Sequence, residues 1–65
     1  MNLELIEKYN FFLDNINQPE VLAKEYNDNT DWYEKMRKQH PEWSKLLRSR
    51  YPKTCEELRK LGVNI

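Results

Sequence analysis

The stretch WYEKMRKQHPEWSKLLRSRYP, Trp32 to Pro52, decides the fold. Trp32 to Pro41 and Trp43 to Pro52 share the pattern Trp-x3-(Met/Leu)-Arg-x2-(His/Tyr)-Pro at an offset of 11 residues. Known repeat architectures have periods of about 20–50 residues, so this echo reads as two short helices built by the same rules. Trp32, Tyr33 and Met36 supply the apolar positions of one helix, and Trp43, Leu46, Leu47 and Tyr51 form the stripe of the other. Each helix must stop before its proline, because proline pushes the preceding residue out of the α region. Pro41 is itself tolerated in the first turn of the next helix, which gives a sharp corner with almost no loop.

Working outward, the same grammar covers the rest of the chain. After Tyr51-Pro52, Thr54 with Glu57 has the spacing of a capping box and predicts a short last helix carrying Cys55, Leu58 and Leu61. Gly62 then stands where a left-handed terminator is wanted, and Val63 where a Schellman motif would pack it onto Leu58. Upstream, Asn17-Gln18-Pro19-Glu20 predicts a helix start, with Val21, Leu22 and Tyr26 on the buried face and Asn27-Asp28-Asn29 at the exit. Asp31 and Glu34 are spaced to cap the helix that follows. Leu5, Tyr9, Phe12 and Ile16, flanked by Ile6 and Leu13, predict a first helix over about 3–15. Strand patterns are absent. The expected fold is a single all-α domain over residues 1–65, a compact bundle of four to five short helices about 28 Å across.

A chain of 65 residues buries only about 60% of the surface its unfolded form exposes, so the core needs reinforcement. Cys55 is the only cysteine, which excludes an internal disulfide. Cys55 and His40 are the only soft or imidazole ligands, too few for structural zinc, and no metal or cofactor is expected. The eight aromatics remain: Tyr9, Phe11, Phe12, Tyr26, Trp32, Tyr33, Trp43 and Tyr51. Each can bury roughly 150–250 Å². Self-association, as a homodimer, is a second source of stability. One unpaired cysteine, no signal-like start and no apolar stretch of membrane-spanning length make the cytoplasm the expected location and exclude a membrane span.

The formal net charge of zero conceals a segregation. Residues 1–34 carry eight acids against Lys8 and Lys24, while residues 35–65 carry nine bases against Glu42, Glu56 and Glu57. Within 35–53 stand Lys35, Arg37, Lys38, Lys45, Arg48, Arg50 and Lys53, with one acid among them. The Debye length at physiological salt is about 8 Å, so poles separated across the domain act on partners almost independently.

Catalysis finds little material. A general base needs a nucleophile within reach and a site that excludes water. His40 stands alone at a helix corner. Cys55 is expected in the first turn of the last helix, where the helix dipole would lower its pKa. There is no glycine-rich phosphate loop, and the chain is expected not to be an enzyme.

Residues 19–37 resemble the helix-turn-helix of phage-repressor-type domains. Leu22-Ala23 matches the Leu-Ala of the first helix, Asn27 the turn position, and Tyr33 and Met36 the buried positions of the second. The resemblance implies a short-helix bundle that binds DNA. Two departures oppose that function. Asp28 stands where an apolar residue belongs, and Asp28, Asp31 and Glu34 would point acids at phosphates.

Positive charge and aromatic bulk coincide instead on 35–53. Adjacent aromatics, Phe11-Phe12 and Trp32-Tyr33, differ by about 100° in direction on a helix, so one of each pair lies at the core's edge. Phe11 and Tyr33 are the candidates for exposure, and at least one of them is expected at the core's edge or outside it. Exposed aromatics beside arginines have the composition of interface hot spots. The reading is a non-enzymatic adaptor, regulator or inhibitor that docks through Lys35, Arg37, Lys38, Trp43, Lys45, Arg48, Arg50, Tyr51 and Lys53. An acidic protein surface is the favoured partner, and nucleic acid on the same basic face is the alternative.

Overall fold

The computed structural model describes residues 3–65. Its five helices are α1 (Leu3–Asp14), α2 (Pro19–Asp28), α3 (Thr30–Gln39), α4 (Pro41–Arg50) and α5 (Pro52–Lys60), with no strand among the described residues. Each of the three prolines opens a helix. The residue before each lies outside the α region: Gln18 at φ −129°, ψ 73°, His40 at φ −133°, ψ 67°, and Tyr51 at φ −131°, ψ 61°. Two of these residues serve two helices at once. The His40 N–H donates to Met36 O at 2.7 Å, closing α3, while its own carbonyl accepts from Trp43 N at 3.1 Å, opening α4. Tyr51 does the same between Leu47 O (2.8 Å) and Cys55 N (3.1 Å). Asn29 alone joins α2 to α3, and its side-chain amide donates back to the Glu25 carbonyl at 3.0 Å and the Glu25 carboxylate at 2.8 Å.

These corners replace the side-chain caps that the spacing predicts. None of Gln18, Asn29, His40 or Tyr51 makes a side-chain cap hydrogen bond. Helix α5 starts at Pro52, two residues ahead of its expected cap. The Thr54 hydroxyl is therefore free to donate to Ile16 O at 2.9 Å, tying α5 to the exit of α1. The other end of α5 is a Schellman motif as expected. Val63 N donates to Leu58 O at 2.9 Å, Gly62 N to Arg59 O at 3.1 Å, and Gly62 has φ +92°.

Helices α2, α3, α4 and α5 form a closed ring of neighbours, each packed on the next. Helix α1 lies against this ring through Phe12, whose ring centroid is 5.8 Å from Tyr33 and 5.1 Å from Trp43. Tyr33 is the hub. It also meets Tyr26 at 5.6 Å, Trp32 edge-on at 4.9 Å and Trp43 in a stacked arrangement at 6.0 Å. The C-terminal Val63 and Ile65 are buried with this core. The molecule measures 29 × 24 × 20 Å, so the aromatic cluster reaches most of its interior.

Four adjacent apolar pairs divide, with one member inside and one at the edge. Phe12, Leu22, Tyr33 and Leu47 are buried, while Phe11, Val21, Trp32 and Leu46 are half-buried or exposed. This corrects the reading of Tyr33 as a candidate for exposure, since it is 1% exposed. Phe12 and Tyr26 approach the Tyr33 side of α3, so its neighbour Trp32 takes the edge. Phe11 is half-buried as an edge residue. Val21, Leu46 and Leu61, expected in buried stripes, are exposed. Among the described residues, no helix is long and apolar enough to cross a membrane.

Candidate binding surface

The seven bases between 35 and 53 lie on the second half of α3, on α4 and in the first turn of α5. Lys35, Lys38, Lys45, Arg48, Arg50 and Lys53 are exposed, and none forms an ion pair among the described residues. On α4, Lys45 and Arg48 are one turn apart and face the same way. Adjacent helices α3, α4 and α5 therefore all carry uncompensated positive charge, with Lys45 and Arg48 on one side of α4 and Arg50 on another.

Three expected contact residues stand apart from this group. Arg37 is half-buried and donates to Glu34 Oε2 at 2.6 Å. Trp43 is a core residue, 8% exposed and packed on Phe12 and Tyr33, so its bulk does not form an exposed anchor among the bases. Tyr51 is half-buried, packed against the core at the α4–α5 corner. The physical reason is the small size of the core. Five helices of 9 to 12 residues leave it few large side chains, and the ring of α2–α5 draws the tryptophan inward.

The acids of α2 and α3 behave differently from those bases. Glu34 accepts from both the Tyr26 hydroxyl and Arg37. These two donors hold its carboxyl below the usual glutamate range, and burial together with the Glu34 charge raises the Tyr26 hydroxyl. Glu25 pairs with Lys8 at 3.1 Å, and Lys8 also lies 5.6 Å from the Trp32 ring centroid and 5.8 Å from that of Tyr33. Asp28 pairs with Lys24 at 2.8 Å. Of the three acids that oppose a DNA-reading role for α3, only Asp31 keeps an unpaired charge.

The candidates for chemistry are equally well placed. Cys55 is 2% exposed, and burial raises its thiol pKa, against the expected lowering. Desolvation outweighs the nearby Arg59 and Arg48 charges and any effect of the helix terminus. His40 Nδ1 lies 3.0 Å from Glu42 Oε1 on the surface. No hydrogen bond joins Cys55 to His40, and no group of three or more metal-binding side chains occurs among the described residues.

One surface feature escaped the sequence reading. Leu5, Ile6, Tyr9, Glu42, Trp43 and Leu46 line an open apolar groove of about 390 Å³ between α1 and α4. Its rim carries Ile6 at 37% and Leu46 at 38% exposure, with Leu3, 68% exposed, three residues before Ile6 on α1. The signal was present in the adjacent apolar pairs Leu5-Ile6 and Leu46-Leu47. The argument that puts one of two neighbouring aromatics outside the core applies to aliphatics too. The chain matches no family model, no curated protein and no solved structure.

Proposed function

We propose that this protein is a non-enzymatic binding module, an adaptor, regulator or inhibitor, that docks on an acidic protein surface through its basic face. The observation that supports this reading is the set of six exposed, unpaired bases on three adjacent helices. Like charges held close together repel one another and oppose compaction. A surface that keeps them unpaired has positive potential available to steer a negatively charged partner and to fix its orientation. Arg48 and Arg50, with Tyr51 following in sequence, supply the residue types that carry interface energy. The single, unpaired Cys55 suits a reducing compartment, and we place the protein in the cytoplasm.

Nucleic acid is the second reading, favoured by the pairing of Asp28 with Lys24 and of Glu34 with Arg37. Those pairs remove part of the negative charge beside Lys35 and Lys38. Four or five phosphate contacts would give log affinity a slope of about −4 against log salt.

Two measurements test the reading. Affinity capture with the wild type and with Lys45→Glu/Arg48→Glu, followed by mass spectrometry, should yield an acidic protein retained by the first and lost by the second. Retention by both would show that the basic face is not the site. Anisotropy titrations with duplex DNA, single-stranded DNA and RNA at two salt concentrations complete the test. Salt-sensitive binding that Lys45→Glu/Arg48→Glu abolishes would replace the protein partner with nucleic acid.

A further inference from the structure

We propose that the α1–α4 groove is a self-association surface, in which two copies of this chain pack α4 against α4 in antiparallel fashion across a two-fold axis at Leu46. The inference starts from α4 itself and is independent of what the basic face binds. Glu42, Leu46 and Arg50 recur every four residues and so occupy one side of the helix. All three are exposed. Leu46 lies midway between an acid and a base that are about 12 Å apart along the axis.

That order, acid–leucine–base, is self-complementary. A two-fold interface presents the same patch twice, with residue i meeting j and j meeting i. Antiparallel pairing about Leu46 brings Glu42 of each copy to Arg50 of the other and leucine to leucine. Parallel pairing would instead set like charges together. Flanking charge pairs of this kind fix register and orientation between helices. Glu42 meets His40 through Oε1, leaving Oε2 to accept from the second copy.

The groove fits a second copy better than other occupants. A small-molecule site normally combines an apolar wall with several convergent polar groups. Here the lining offers a single charged side chain, Glu42. An acidic partner would meet that carboxylate and be repelled. The exposed apolar residues of the groove, Leu46 and Ile6, are what a second copy presenting the same patch would cover. Oligomerisation is also a usual remedy for a chain too short to complete its own core. Arg48 points about 160° away from Leu46 around the helix, so the pairing leaves Arg48 open and draws on Arg50 alone among the six exposed bases.

Sedimentation equilibrium over a micromolar-to-millimolar series tests the arrangement, with far-UV circular dichroism to check that each variant is folded. The wild type should show a reversible monomer–dimer equilibrium. Arg50→Glu and Glu42→Arg should each weaken it about tenfold or more, because each places like charges opposite one another twice. An equimolar mixture of the two variants should associate about as well as the wild type, since every cross-copy pair is then opposite in charge. Only folded chains in this register can give that recovery. Leu46→Glu should leave monomer throughout. A wild type that stays monomeric, single variants that dimerise normally, or a mixture that fails to recover would each overturn the proposal. So would a monomer whose groove binds the apolar dye anilinonaphthalene sulfonate with no change in mass.

Discussion

On the α2–α3 side of the molecule, several acids meet partners: Glu25 with Lys8, Asp28 with Lys24, and Glu34 with Tyr26 and Arg37. On the α4 side, Lys45, Arg48 and Arg50 meet none among the described residues, and Lys53 continues that pattern into α5. The two sides belong to one small ring of helices and share the same aromatic cluster, so neither core packing nor helix length distinguishes them. The difference lies in what the charges do. Side chains such as Glu25 and Glu34 reach across helices and join elements, and their loss is expected to change the fold. The α4 bases join nothing within the chain, and their loss is expected to change association alone.

The largest effect should come from the shared cluster, where the comparison vanishes. Trp43→Ala should cost about 3–5 kcal/mol, as removal of a buried aromatic usually does. A domain of this length has a total stability of roughly 3–10 kcal/mol, so chemical denaturation should find it partly or wholly unfolded. Tyr33→Phe sharpens the point. The Tyr33 hydroxyl is buried with no hydrogen bond of good geometry, only the Glu25 carboxylate near enough to raise its pKa, so its removal should cost less than about 1 kcal/mol or even stabilise. A large loss in Tyr33→Phe would mean that the hydroxyl has a partner and that the hub is polar.

Next in size is the pH response of the α2–α3 side. Glu34 has a lowered pKa in the folded state, owing first to the Tyr26 hydroxyl and then to Arg37. Its contribution is present above the ordinary glutamate value of 4.5 and is lost as pH falls through the lower folded value. Tyr26 has a raised pKa, through burial first and the Glu34 hydrogen bond second. Its contribution is present below the ordinary tyrosine value of 10.0 and is lost as pH rises through the higher folded value. Thermal melts across pH should therefore decline at both ends. Glu34→Gln should flatten the acid limb, and Tyr26→Phe should reduce the alkaline one. Unchanged limbs would show that this contact does not connect α2 to α3 in solution.

A backbone change should be smaller still. Gly62 sits at φ +92° with open space where a Cβ would stand. Gly62→Ala therefore meets no clash and pays only the left-handed backbone cost, about 1–2 kcal/mol. Equilibrium denaturation should place it well below Trp43→Ala, and a near-zero change would mean that the Schellman turn contributes little to holding Val63 and Ile65 in the core.

That turn was legible in the sequence because its signals are local. Gly62 and Val63 stand at fixed offsets from Leu58, and each proline acts on the residue directly before it. The corners at His40 and Tyr51 could be read for the same reason. What could not be read depends on neighbours distant in the chain. Trp32 and Tyr33 are equally apolar, and only the positions of Phe12 and Tyr26 decide which one turns inward. Thr54 has the spacing of a cap, yet Pro52 starts α5 earlier and Ile16, 38 residues away, receives the hydroxyl. Trp43 could have served the surface, and the demand of a small core for large side chains took it inside. Charge was the reverse case. The run of bases from Lys35 to Lys53 was visible at once, but whether they were paired became clear only when the helices were in place.

The smallest change in stability should come from reversing charge on the α4 side, and it tests the comparison most directly. Lys45 and Arg48 are exposed and make no contact with an acid, so Lys45→Glu/Arg48→Glu removes no interaction that holds the fold. Surface substitutions of this kind usually fall within about 0.5 kcal/mol of the parent. The double variant also removes two positive charges from a region with other unpaired bases, so any shift is expected toward stabilisation. Glu25→Gln on the other side should do the opposite, since it weakens the partner of Lys8 and of the Asn29 amide. Side-by-side denaturation of the two variants, together with partner binding, gives a crossed pattern if the sides differ as described. Glu25→Gln should lose stability and keep binding, and Lys45→Glu/Arg48→Glu should keep stability and lose binding. A double variant that unfolds would show that the α4 bases are structural after all, and the division between the two sides would fall.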